Sequence, residues 1–149
     1  MNFDFVSVRL NLIDQADETY RISTPTGDPQ LDASIQAIGC INAPILAPAA
    51  ASAYRIVSGF KRIAAGERLG WTEIPSRLIR PDTEALDILG VAIADNIQHR
   101  PFNPVELSRA VEKLGRFFAD KTGLINYGEK LGLSLNQMLI ARLERLRRL

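Results

Sequence analysis

The chain is poor in the residues that build covalent cross-links and soft-metal sites: its 149 residues include one cysteine, Cys40, and one histidine, His99. No disulfide can close within it, and one chain cannot assemble a zinc cluster of histidines and cysteines. Cys40 lies on a Gly-Cys-Ile turn and reads as a small buried hydrophobe rather than a nucleophile. Long apolar runs are missing too. A spanning helix needs about 20 apolar residues, and even Ala43 to Ala53 is interrupted by Pro44 and Pro48. The start, Met1-Asn2-Phe3-Asp4, has neither the basic nor the apolar region of a secretory leader. The expectation is a cytoplasmic protein with no membrane partner. Charge of one sign is also lacking, because the formal net charge is +1. Any contact with nucleic acid must therefore come from a local patch and not from the global field.

Enough apolar residues are present, 46% of the chain, to build an ordinary core. Phe3, Phe5, Val6, Val8 and Leu10, then Tyr20 to Ile22, predict two short strands around a polar Asp14–Glu18 turn. Leu31, Ile35 and Ile38 recur at helical spacing between Pro29 and Gly39, the proline-first and glycine-last order of a helix. Pro44-Ile45-Leu46 and Tyr54–Val57 flank an alanine-rich stretch as a hairpin. A helix follows from Gly59 to about Gly70, then a strand from Ile74 to Ile79. Asp82 is the expected cap of a helix striped by Leu86, Leu89, Ile93 and Ile97.

After Pro101 no β-like run appears, which predicts a boundary there: residues 1–100 form one domain, and 101–149 a helical segment. Asn103-Pro104-Val105-Glu106 supplies an N-cap, a proline at the first helical position and an early acid, starting a helix through about Asp120. Helices over roughly Asn126–Leu131 and Leu135–Arg148, joined by Gly132-Leu133-Ser134, have the sequence form of a helix-turn-helix.

The run Tyr54-Arg55-Ile56-Val57-Ser58-Gly59-Phe60-Lys61-Arg62 carries the sharpest chemistry. A strand breaks at Ser58-Gly59 into a helix that opens with two cations. A helix N-terminus already bears partial positive charge, so Lys61 and Arg62 there cost stability unless an anion is present; phosphate is the usual one. A solvated basic first turn is an equal reading of these residues alone. Asp95-Asn96-Ile97-Gln98-His99-Arg100 sets a carboxylate beside an amide oxygen, suited to a hard divalent cation that bridges to phosphates. Polar decoration of a helix end explains the same residues. In the tail, Leu135, Leu139, Leu143 and Leu146 form a stripe, while Arg142, Arg145, Arg147 and Arg148 load the other faces. DNA contact and a solvated basic face fit this equally.

In this order and spacing the segments resemble the N-terminal domain of the ParB family, within the ParB/sulfiredoxin superfamily. The resemblance runs from Leu31-Asp32-Ala33-Ser34-Ile35 through Pro44-Ile45-Leu46, Ser58 to Ala65, Leu69-Gly70, Ile74-Pro75 and Asp95-Asn96-Ile97-Gln98 to Asn103-Pro104-Val105-Glu106. It implies an α+β fold, a small mixed sheet with packed helices, followed by the all-α segment. It further implies a partition or DNA-regulatory protein that binds CTP or a related nucleotide with Mg2+. Phosphates would lie on Ser58, Gly59, Lys61, Arg62, His99 and Arg100, the metal on Asp95 and Asn96, and DNA on Arg142, Arg145 and Arg148. Implied partners are DNA for the full-length protein, a second copy and a partition ATPase. Phe60 stands where the family has glutamate, Ala43 where a glutamine precedes Pro-Ile, and His99 where the family has arginine. These departures leave the base, its hydrolysis and the catalytic residues open. A nucleotide triphosphatase, a non-catalytic DNA-binding or adaptor module and a ParB-like nuclease all remain as readings. A sulfiredoxin would need cysteine at Phe60.

Overall fold

The computed structural model describes residues 2–23, 29–39, 42–50 and 53–148; Cys40 and the middle of the alanine-rich stretch lie outside them. The described chain divides into two compact units, Met1–Glu84 and Ala85–Leu149.

The first unit is built on a sheet. Strands β1 (Asp4–Arg9), β2 (Ile13–Asp14), β3 (Ile45–Pro48), β4 (Tyr54–Ser58) and β5 (Glu73–Leu78) are ordered β1-β5-β3-β4-β2. Pairing is mixed, with β1/β5 and β3/β4 antiparallel and β5/β3 and β4/β2 parallel. Helices α1 (Pro29–Ile38) and α2 (Phe60–Arg68) complete the unit. Alternation along β1 and β5 turns Val8 and Ile74 inward, and they meet Leu10, Ile13, Leu46, Ile56, Phe60 and Ile63 in one core. Burying each such side chain contributes about 1.5–3 kcal/mol. Arg68 on α2 clamps Asp32 on α1 through two hydrogen bonds of 3.0 and 2.6 Å.

The second unit is all helical: α3 (Ala85–His99), α4 (Pro104–Gly115), α5 (Lys121–Lys130) and α6 (Gln137–Arg147). Leu89, Ala92, Ile93, Ala110, Val111, Leu114, Leu124, Ile140 and Leu143 are among its buried residues. Gly90 admits Tyr127 of α5, whose hydroxyl would lie 2.7 Å from any Cβ at that position. The same hydroxyl donates to the Leu86 carbonyl at 3.3 Å. Among the described residues no helix is long and apolar enough to cross a membrane.

The predicted hairpin, α1, α2 and the strand after it are all present. Four local expectations are corrected. Tyr20–Ile22 is not a strand: the Asp17 carboxylate accepts from the Thr19 amide and Arg21 N–H reaches the Glu18 carbonyl, so the stretch is turned, and Tyr20 and Ile22 are buried outside the sheet. Asp82 does not cap α3. It lies in a turn closed by Thr83 N–H on the Arg80 carbonyl, and the helix starts at Ala85. Helix α4 ends at Gly115 instead of near Asp120, because Asp120 itself caps the next helix by accepting from Gly123 N–H. That cap lets α5 begin at Lys121, five residues before the expected start.

Candidate functional site: a cation-led turn and a capped helix junction

At the end of β4, Ser58 is buried and Gly59 takes the left-handed conformation, φ 101° and ψ 27°, to serve as the N-cap of α2. The glycine is required twice over. Its φ suits no ordinary side chain, and a Cβ there would lie 2.6 Å from the Pro44 Cβ and 2.9 Å from its Cα. The turn is thereby pressed against the loop Asn42–Pro44. Arg62 Nη1 donates to the Asn42 carbonyl at 2.8 Å, and Arg77 donates to the Ala43 carbonyl from Nε at 2.9 Å and Nη2 at 2.6 Å. Lys61, partly exposed, has no ion-pair partner among the described residues. No acid occupies the first turn of α2. The turn therefore joins a helix N-terminus bearing Lys61 to two guanidinium groups on one loop, an arrangement able to attract an anion.

Two neighbours of this turn were not legible as site residues. Arg77, on β5, arrives through the β5/β3 pairing, which no local motif encodes. Arg21 stacks its guanidinium 4.6 Å from the centre of the Phe60 ring. Phe60 itself is 7% exposed and belongs to the core. The position that the resemblance sets against a glutamate is thus filled by an apolar anchor with a cation over its face.

In the second unit, Asp95 and His99 face each other one helical turn apart, Oδ2 to Nε2 3.8 Å, with the Asp95 side chain mostly shielded. Asn96 Nδ2 donates to the Ala92 carbonyl of its own helix at 2.6 Å, which keeps Oδ1 as its acceptor. Arg100 points elsewhere. It grips Glu106 with two bonds of 2.7 and 2.6 Å, and Glu106, 1% exposed, also accepts from Asn103 N–H while the Asn103 side chain accepts from Glu106 N–H. This is a capping box with a guanidinium added to it. Hydrogen bonding to Glu106 raises the Arg100 pKa further above its ordinary value. Of the sequence-predicted residues, Ser58, Gly59, Lys61 and Arg62 share one turn, and Asp95, Asn96 and His99 share the last turns of α3, with Arg100 just past its end. Among the described residues no group of three or more metal-ligating side chains converges.

Helices α5 and α6 are joined through Gly132, at φ 97°, with α6 capped by Asn136, which accepts from Leu139 N–H at 2.7 Å. Arg142, Arg145 and Arg148 are exposed on or just beyond α6. Arg147 instead reaches the Ser108 carbonyl of α4 at 3.1 Å and lies 4.0 Å from Glu112. A cleft of about 780 Å³ is lined by Arg9, Ile13, Gln15, Glu67, Trp71 and Glu73 among others, and none of the predicted site residues borders it.

A mixed sheet whose fourth strand turns through a left-handed glycine into a cation-led helix, with an all-helical unit after it, defines an α+β protein. In particular the chain is similar to the N-terminal domains of ParB proteins. A scan against protein-family models finds no match. The chromosome-partitioning protein ParB of Myxococcus xanthus (strain DK1622) is 32% identical over 85 residues, 57% of this chain and 28% of that protein. Two solved structures of C-terminally truncated ParB from Caulobacter crescentus share the fold. One, complexed with CTP-γ-S, gives a TM-score of 0.56 at 21% identity, covering 98% of this chain and 79% of the other. The second, bound to the centromeric parS site, gives 0.57 at 18% identity, covering 97% and 72%. A Pnob8-like ParB-N domain gives 0.55 at 15% identity, covering 87% and 50%.

Proposed function

We propose that this chain is the nucleotide-responsive part of a cytoplasmic ParB-like partition or DNA-regulatory protein, binding a nucleoside triphosphate of the CTP kind with Mg2+. The observation that carries the reading is the Gly59 turn, with its helix N-terminus, Lys61 and Arg62, in a fold shared with a ParB that was solved with CTP-γ-S. Gly59 brings backbone N–H groups to the anion, with Ser58 beside it. Lys61 and Arg62 neutralise phosphate oxygens, each charge-assisted contact contributing roughly 1.5–3 kcal/mol. Arg62 would exchange its bond to the Asn42 carbonyl for a phosphate, which couples the Asn42–Pro44 loop to the ligand. Asp95 and Asn96 offer hard oxygen donors that suit Mg2+, whose remaining positions phosphate and water would fill. The metal, when bound, supplies charge that draws the phosphates together. His99 lies against Asp95 and Arg100 against Glu106, so their phosphate roles require those pairs to open.

The functional partition we propose, residues 1–100 for nucleotide and 101–149 for DNA, assigns α3 to the nucleotide part, although by packing it belongs to the second compact unit. DNA would meet Arg142, Arg145 and Arg148. A second copy and a partition ATPase are the protein partners proposed for the complete protein. Calorimetric titration with CTP tests the reading. Binding should require Mg2+, and Arg62→Ala should weaken it about tenfold or more; affinity unchanged in EDTA and in that variant would refute it.

Phe60 favours a second reading. With an aromatic ring in the core where the family carries a carboxylate, the domain keeps the fold but loses nucleotide switching, leaving a non-catalytic DNA-binding or adaptor module. Absence of any CTP binding heat, together with retained DNA binding, would select it. DNA cleavage that disappears in Asp95→Ala would instead select the nuclease.

A further inference from the structure

The sheet has two edges, and they are treated differently. At one, β2 is two residues long and offers little template. At the other, β1 runs for six residues, pairs with β5 in unbroken register and, among the described residues, has no strand on its outer side. Edge strands are ordinarily blunted by proline, lysine or a bulge, and β1, with the sequence DFVSVR, has none of these. Phe5 is 77% exposed and Val6 44%.

Which main-chain groups point outward follows from the pairing. Leu10 N–H donates to the Thr72 carbonyl at 3.0 Å, continuing the register that sets Val8 against Ile74. In an antiparallel pair, alternate residues turn both polar groups toward the neighbour. Even-numbered residues of β1 therefore serve β5, and Phe5, Ser7 and Arg9 turn theirs outward.

From this edge we infer that β1 is a self-pairing surface: two copies join edge to edge, antiparallel, into a continuous sheet around a twofold axis at Ser7. The strand is complementary to itself in that register. Ser7 meets its own copy, the Phe5 ring lies opposite Arg9 of the second copy as a cation–π pair, and Val6 lies opposite Val8 on the core face. Antiparallel pairing also sets the acidic end of each strand, Asp4, beside the basic end of the other, whereas parallel pairing would align like charges. An isologous contact of this kind closes as a dimer and does not propagate.

Sedimentation velocity of the whole chain, without nucleotide or DNA, from micromolar to millimolar concentration, tests the inference. The wild type should shift from monomer to dimer. Ser7→Pro deletes an outward N–H without touching β5, a site where an edge strand tolerates proline, and should raise the dissociation constant at least tenfold with an unchanged circular dichroism spectrum. Phe5→Lys, facing Arg9, should weaken association similarly, and Phe5→Glu should retain it through an ion pair. A wild type that stays monomeric throughout, a Ser7→Pro chain that folds and still dimerises like wild type, or equal effects of lysine and glutamate at position 5 would each overturn the inference.

Discussion

At the scale of single residues, Gly59 decides most, because its φ of 101° and its closeness to Pro44 leave no room for a side chain. Gly59→Ala must either strain the backbone or push the Asn42–Pro44 loop away. The expected loss is about 2–3 kcal/mol, seen as a lower urea midpoint at constant m-value. Three ionisable residues also set how stability varies with pH. The Arg68 fork holds the Asp32 carboxyl below the usual carboxylate range. That contribution is present above the ordinary aspartate range and is lost as pH falls below it, so Asp32→Asn should flatten the acid limb of a stability–pH curve. Burial pushes the Tyr20 and Tyr127 phenols up, Asp87 adding to the effect at Tyr127. Their contribution is present below the ordinary phenol range and disappears as pH rises through the elevated values. Denaturant midpoints across alkaline pH should thus fall less steeply in Tyr20→Phe.

At the scale of elements, the junction of α3 and α4 gathers several contacts in few residues. Removing the Asn103 side chain should cost about 1 kcal/mol, the usual value of a lost N-cap. Arg100→Ala removes the guanidinium that grips the Glu106 carboxylate, which is 1% exposed. The expected cost is about 2–3 kcal/mol, less than for a fully enclosed pair because half of the Arg100 side chain is open to water. Chemical denaturation of both variants checks the order of the two effects. The elements also show what was legible in the sequence. The Gly59 turn and the Asn103-Pro104-Val105-Glu106 start are short-range devices, and they could be read. Arg77 against Ala43 and Arg21 over Phe60 depend on which segments the sheet and core bring together, so nothing within a window of ten residues announces them. The Asp120 cap, which accepts from Gly123 N–H, opens a helix that the apolar periodicity placed near Asn126.

At the scale of the whole molecule, the DNA site proposed on α6 limits the affinity expected of it. Arg142, Arg145 and Arg148 are exposed, while Arg147 is engaged with α4. Three or four neutralised phosphates, at a slope of roughly 0.9 each, keep the salt dependence below about four and place non-specific affinity near 10⁻⁴–10⁻⁶ M at physiological salt. Fluorescence anisotropy should find weak binding with little sequence preference, and nanomolar selective binding would contradict this. The sheet order has a different consequence, one of timing. Strand β1 pairs with β5, which lies roughly seventy residues later, whereas the helices of the second unit are joined by turns of a few residues. Closing that long loop is slow compared with winding adjacent helices. In refolding followed by pulsed hydrogen exchange, amides of α4 and α6 should gain protection before those linking β1 to β5. On the ribosome, β1 must wait without a partner until β5 has emerged, with Phe5 and Val6 exposed to whatever binds nascent chains.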